Sequence, residues 1–243
     1  MKFGMFVYSL VLCGALAVAP LATAHAAAAK STPAQAPQQI DPATQETLKK
    51  AADAFEAKDF EGAKKLLKPL AEKGDIMATY AMGLMAARGE GGEKNMKEAE
   101  SWWIKSANAG NPQAQFYLGV LYAGDDLGPR DLTKTRQWWT KAAGMKHADA
   151  IYNLGILMFE GEGGPKDEAG AVKRFREAAN MKHPGAQFTM GRLYAEGKGV
   201  GKDLKQAKEW FTKAAAAGVP AAKEALDALS KSAPEAAPKA KKK

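Results

Sequence analysis

Few residues in this sequence are of a type and spacing that could do chemistry. His147 and His183 stand 36 residues apart and invite a metal-ligand pair. Glu160 and Glu162 are a carboxylate pair of the kind used in general acid–base work. The runs ARGEGGEKN (87–95) and AEGKGVGKD (195–203) have the glycine density of a phosphate cradle. Each reading fails on its surroundings. The histidines share a sequence column with Asp75 and Asn111 at the start of a helix, where capping is the expected role. Helical units about 10 Å apart would hold the two rings too far apart to share an ion. The carboxylates lie in a turn, with no burial to shift them, and the glycine runs lack the Gly-Lys-Ser/Thr of a phosphate-binding loop. No base–nucleophile spacing is found among the Ser and Asp/Glu residues. A non-enzymatic protein without cofactor or metal is expected.

The elements that must carry any function are better marked. Two stretches, WWIKSANAGNPQAQFYLGVLY (102–122) and WWTKAAGMKHADAIYNLGILM (138–158), repeat at an offset of 36 residues. Aligned on glycine, the chain gives Gly83, Gly119, Gly155 and Gly191 at that same step. Three residues before each glycine stands Tyr80, Phe116, Tyr152 or Phe188, and farther on Trp103, Trp139, Phe175 or Phe211. Each unit reads as two helices. Ala150, Leu154 and Leu157 fall at helical spacing in the first, and Ala207, Phe211 and Ala215 stand four apart in the second. The glycine lets a neighbouring helix approach closely. Asn95, Asp131, Asp167 and Asp203 occupy one column ahead of the second helix as N-caps, and the glycine runs between the helices are turns. A helix pair cannot bury its apolar face alone, so it is copied until a continuous core forms and the ends are closed by caps.

The two ends differ from the middle. One lysine and an apolar run from about Phe6 to Leu21 precede the small residues Ala22-Thr23-Ala24 and Ala24-His25-Ala26. That is the anatomy of a secretory signal peptide cleaved after Ala24 or Ala26. About 16 apolar residues fall short of the roughly 20 that a bilayer span takes, so no transmembrane segment is expected after cleavage. Cys13 lies inside this run behind Leu12, where acylation of a lipoprotein needs a small residue. The mature chain would then have neither thiol nor disulfide and be held by apolar packing. The formal net charge is +8, and the last 13 residues, KSAPEAAPKAKKK, hold five lysines against one glutamate. The basicity thus sits largely in a tail and not on a folded patch, which argues against a nucleic-acid partner.

The columns in AQFYLGVLYAG (114–124), AIYNLGILMFEGEGG (150–164) and AQFTMGRLYAEGKGVGKDLKQAKEWFTKAAAAG (186–218) resemble Sel1-like repeats, relatives of tetratricopeptide repeats. The likeness spans four units, 76–111, 112–147, 148–183 and 184–219. Upstream, residues 44–75 resemble a tetratricopeptide capping repeat with a shorter loop. The expected organisation is a signal peptide (1–24), a linker (25–43), the capping repeat, four Sel1-like repeats, a capping helix (220–230) and a disordered basic tail (231–243). Two departures stand out, Asp125 where sibling loops have glycine and Arg174 where sibling helices have tryptophan.

The resemblance implies an all-α, right-handed solenoid and an adaptor or scaffold that works in the bacterial envelope, periplasmic or secreted. Its concave face would bind an unidentified protein or peptide partner. By analogy with tetratricopeptide geometry the groove positions include Tyr80, Leu84, Arg88, Phe116, Tyr152, Ile156, Phe159, Glu160, Phe188, Arg192 and Glu196. The aromatic column is either a ladder of anchors or packing between helices. The competing expectation is a peptidoglycan- or glycan-binding envelope module, with aromatics stacking on sugars and the tail tethered to an anionic cell-wall polymer.

Overall fold

The structure is a computed structural model and describes residues 41–232. The expected signal peptide, nearly all of the linker and the tail beyond Ser232 lie outside the described residues. Among the latter there are eleven α-helices and no strand: α1 (Pro42–Glu56), α2 (Phe60–Glu72), α3 (Ile76–Arg88), α4 (Met96–Asn108), α5 (Pro112–Ala123), α6 (Leu132–Gly144), α7 (Ala148–Glu160), α8 (Glu168–Asn180), α9 (Pro184–Glu196), α10 (Leu204–Ala216) and α11 (Pro220–Ser232). None is long and apolar enough to cross a membrane.

Two sequence boundaries move. The linker expected to run through 43 gives way to helix at Pro42, because the Asp41 carboxylate accepts the N–H groups of Ala43 and Thr44 and Pro42 suits a first turn. The last helix extends two residues past 230, so Lys231 and Ser232 belong to α11 and not to the tail.

Side-chain oxygens start the second helices. Asn95 accepts from Glu98 N–H at 3.0 Å, Asp131 from Lys134 at 2.9 Å, Asp167 from Gly170 at 2.7 Å and Asp203 from Gln206 at 3.0 Å. Three of these capping residues also close the preceding loop. Asn95, Asp131 and Asp203 donate their own N–H to Ala86, Tyr122 and Tyr194 carbonyls at 2.8, 2.8 and 2.9 Å. The first helices end in a left-handed glycine at 89, 161 and 197. At Asp125 that glycine is missing, so α5 stops a residue early and Gly124 takes an extended conformation instead. Junctions between units close by a double hydrogen bond in which, for example, Asp75 N–H reaches Leu70 O and Gly74 N–H reaches Ala71 O, both at 3.0 Å. The turning residue is left-handed in each: Gly74, Gly110 and Gly218, but Lys146 (φ 61°) and Lys182 (φ 67°) at the same column.

The described chain divides into two compact units, one through Lys166 and one from Asp167. In the first, α1 to α7 pack in order, each helix on the next. Leu48, Leu67, Met82 and Met85 make one core cluster, and Trp103, Leu118 and Leu121 make another. In the second, α10 lies between α9 and α11, with Phe211 and Ala222 at the centre and Phe188, Leu226 and Leu229 packed around them. The glycine column is where the second-helix aromatic lands. A Cβ on Gly119 would overlap Nε1 and Cδ1 of Trp139, with Cε2 at 2.9 Å, and one on Gly191 would lie 2.5 Å from Cδ1 of Phe211. Gly83 stands in the same relation to Trp103. The outer tryptophans are screened by a lysine one turn on, Lys105 over Trp102 at 4.4 Å, Lys141 over Trp138 at 3.9 Å and Lys213 over Trp210 at 4.1 Å. Where Arg174 replaces tryptophan, Glu177 replaces lysine and the two form an ion pair at 3.0 Å.

Candidate interaction surface

The first helices present one face at spacings of three and four residues, and within the first unit most of its half-exposed members are apolar or aromatic, with Gln113 and Arg88 the polar ones. Met77 and Leu84 come from α3, Tyr117 and Val120 from α5, Tyr152 and Phe159 from α7. Tyr117 is its hub. Its ring stacks on Trp103 at 5.3 Å and lies 5.9 Å from Tyr80, with which its hydroxyl shares a hydrogen bond. Burial pushes the phenols of both Tyr80 and Tyr117 up, Tyr80 well up. Both therefore remain neutral hydrogen-bonding hydroxyls and are unsuited to act as bases.

Charge edges the strip. Arg88 closes α3 with its guanidinium 3.8 Å from Glu90, a side chain only 19% exposed. Burial raises the Glu90 carboxyl above the usual range, with Arg88 opposing, and its Oε2 is buried without a hydrogen-bond partner. Asp149 and Glu160 mark the two ends of α7, and Lys166 reaches over the Phe159 ring at 5.9 Å.

The expected groove residues separate into two sets. Tyr80 (6% exposed), Phe116 (7%) and Ile156 (9%) are buried, so they are packing residues and not open anchors. Phe116 lies between Tyr117, Trp139 and His147, stacked on the imidazole at 4.7 Å. In the second unit Phe188 is turned to Phe211 at 5.5 Å and belongs to that core. The first three are corrected from open anchors to packing residues, while Phe188 is half-buried against its core. Tyr152 and Phe159 stay half-exposed, Glu160 is exposed, and Arg88 keeps a small exposed fraction. Arg192 and Glu196 pair at 3.1 Å, and Lys198 and Arg192 hold the Glu196 carboxyl below its ordinary range.

Val120 stands in the column of the expected Leu84, Ile156 and Arg192, whereas Tyr117 and Met77 were missed in the sequence. They sit in columns whose residue type changes from unit to unit, Ala81, Tyr117, Asn153 and Thr189 for example. That variation was the available signal, and constant columns report packing instead. The two histidines are placed as capping residues, His147 Nδ1 accepting from Ala150 N–H at 3.3 Å and His183 Nδ1 from Ala186 N–H at 3.0 Å. Among the described residues no group of three His, Cys, Asp or Glu is placed to hold a metal ion.

Comparison with known proteins agrees with this geometry. The Sel1 repeat profile matches residues 76–111, 112–147, 148–183 and 184–219. Among solved structures, c5321, a protective antigen of uropathogenic Escherichia coli strains with an SLR fold, is 33% identical with a TM-score of 0.66. That match covers 68% of this chain but only 36% of c5321, so the chain spans about a third of that protein's length. A Sel1 repeat protein from Oxalobacter formigenes is 25% identical with a TM-score of 0.70, covering 79% of this chain and 81% of its own. PA5086 from Pseudomonas aeruginosa shares the fold at 16% identity and a TM-score of 0.52, over 84% of this chain and 83% of its own. No curated protein matches the sequence.

Proposed function

The chain belongs to the Sel1-repeat family of α-solenoid proteins, whose repeats generally mediate protein–protein interaction, and on that premise we propose that it is an exported adaptor of a bacterial cell envelope. It holds a protein or peptide partner on the first-helix face and performs no catalysis itself, as is typical of Sel1 scaffolds. The observation that carries this reading is the strip of Tyr117, Val120, Tyr152 and Phe159, half-exposed on helices whose neighbouring positions are buried. Aromatic side chains anchored at their base and open at their edge are the form that binding hot spots take. Arg88 and Glu160 at its margins would set register and orientation. Export is supported by the composition of residues 1–24, and a weak attraction to anionic wall polymer by the lysines after Ser232.

Photo-crosslinking tests the reading. A benzoylphenylalanine placed at Tyr152 or Phe159 of the full chain in living cells should trap one discrete protein. The same group at Thr140, exposed on α6, should not trap it. Equal trapping from Thr140, or trapping of wall polymer alone, would remove the first-helix face from the function.

A further inference from the structure

Charge in the first unit is sorted between its two kinds of helix. The second helices, α2, α4 and α6, carry eight Lys or Arg against four Glu, and α6 has no acidic residue. The first helices of the repeats, α3, α5 and α7, carry one arginine against one Asp and one Glu, and that arginine stands beside Glu90. The basicity that composition assigns to the tail thus has a second seat in the fold.

The cations of this layer point outward. Exposed positions recur four, seven and eight residues apart along each second helix. Lys65 and Lys68 of α2, Lys97 and Lys105 of α4 and Lys141 of α6 occupy them, the first two with side chains 80% and 60% exposed. The glutamates oppose them weakly. Glu98 accepts from Trp102 Nε1–H at 3.3 Å and Glu100 from the Tyr122 hydroxyl, so both are turned toward neighbours. Glu61 and Glu72 lie 4.0 Å from Lys65 and Lys68 at exposed sites, where such a pair is worth little. Each helix has 13 residues, about 20 Å, and helices pack about 10 Å apart, so the three make a patch roughly 20 Å on a side.

Two half-buried tryptophans are set into this patch, Trp102 and Trp138. Each carries an ammonium over its ring, Lys105 at 4.4 Å and Lys141 at 3.9 Å. A ring face that holds an ammonium is closed to a sugar, which disfavours a glycan on this layer. Indole beside a lysine whose stem lies along apolar surface is the pairing that settles at the headgroup level of a bilayer. A broad spread of cations over three helices matches a surface of anionic headgroups.

We infer that the second-helix layer of the first unit is a docking surface for an anionic phospholipid bilayer, held at headgroup level by charge and without a spanning segment. The strip of Tyr117, Tyr152 and Phe159 belongs to the other layer of the same helix pairs, so docking leaves it facing away from the lipid. The lipid contact needs no protein partner and stands or falls apart from the adaptor reading.

Vesicle sedimentation tests it on the chain from His25, the form that cleavage after Ala24 leaves. The protein should pellet with vesicles of phosphatidylglycerol and phosphatidylethanolamine, stay in solution with phosphatidylcholine alone, and be released as salt rises. The double variant Lys65→Gln, Lys97→Gln leaves Lys105 and Lys141 on their tryptophans and should weaken partitioning about thirtyfold, at about fivefold for each lysine that meets the lipid. The charge-matched variant Lys49→Gln, Lys50→Gln, exposed on α1, should weaken it less than about threefold, since charges beyond a Debye length are screened. Changing Lys239, Lys241, Lys242 and Lys243 of the tail to glutamine should leave the difference between the two pairs in place. Equal losses from the two pairs, binding that vanishes with the tail lysines alone, or pelleting with purified peptidoglycan but not with anionic vesicles would overturn the inference.

Discussion

Replacing Gly119 by alanine adds one methyl group, and the structure places it inside the Trp139 indole. Cε2, the farthest of the three nearest ring atoms, would sit 2.9 Å from the new carbon, so the ring must retreat by roughly 1 Å to regain an ordinary contact of about 3.5 Å. It has nowhere easy to go. Trp139 is 3% exposed, lies against Phe116 with centroids 6.3 Å apart, and donates Nε1–H to the Phe116 carbonyl at 3.1 Å. Overpacking of this kind costs about 1–3 kcal/mol, and stranding the indole donor adds about 1–3 kcal/mol. Alanine's better helix propensity returns about 1 kcal/mol. The net expectation is a loss of about 3 kcal/mol. For a chain of this size that lowers the melting temperature by roughly 6–12 °C. Thermal unfolding followed by circular dichroism measures it, and a second background decides its cause. With Trp139→Ala the ring is gone, so Gly119→Ala should become neutral or stabilising by up to about 1 kcal/mol. If alanine at 119 costs as much in that background as in the wild type, the clash with the indole is not the reason for the glycine.

Lys146→Gly and Lys182→Gly should each raise stability by about 0.5–1 kcal/mol, since a non-glycine residue in the left-handed region is held against its sterics; urea titration of the single variants would detect it. Glu90→Gln should stabilise the protein at neutral pH, because burial raises the carboxyl's folded-state pKa and so penalises the ionised form. Stability linked to Glu90 is lost as pH rises above the ordinary glutamate value, so the advantage should shrink as pH is lowered toward 4.5, and melting curves across that interval would show whether it does. Asp131 has the opposite sign. The Lys134 N–H lowers its carboxyl, so its contribution is present above the ordinary aspartate value and is lost as pH falls through the lowered one. Asp131→Asn, which keeps a capping oxygen, should therefore flatten the acid side of the stability profile below pH about 4.

The repeat period, the helix pairs and the polar caps were readable because each rests on local rules: helical spacing, capping chemistry and turn glycine. The same locality explains the early end of α5 at the Asp125 departure. The aromatic column was not readable in the same way. Tyr80 and Tyr152 have the same type and register, yet one is buried and the other half-open. Tyr80 is buried with Tyr117 of the following repeat against it, ring centroids 5.9 Å apart. Residue type shows that a side chain can pack, and only the neighbouring helix shows whether it does. The left-handed lysines were hidden for a related reason. Lysine gives no turn signal, and its backbone conformation is imposed by the double hydrogen bond at the junction rather than by preference.

The contact between glycine and the second-helix aromatic also constrains how this array can have changed. From the present pair, a gain of bulk at Gly119 before the loss of the ring at Trp139 passes through a form that the clash penalises. The reverse order passes through a cavity in place of the buried indole, which costs about 3–5 kcal/mol. Either order of single substitutions thus crosses a destabilised form, so the two positions are locked to one another. A copied unit carries both halves of the pair together and crosses no such barrier. Duplication of whole 36-residue units is therefore the easier route for lengthening the array, and piecemeal substitution the harder one for altering its interior.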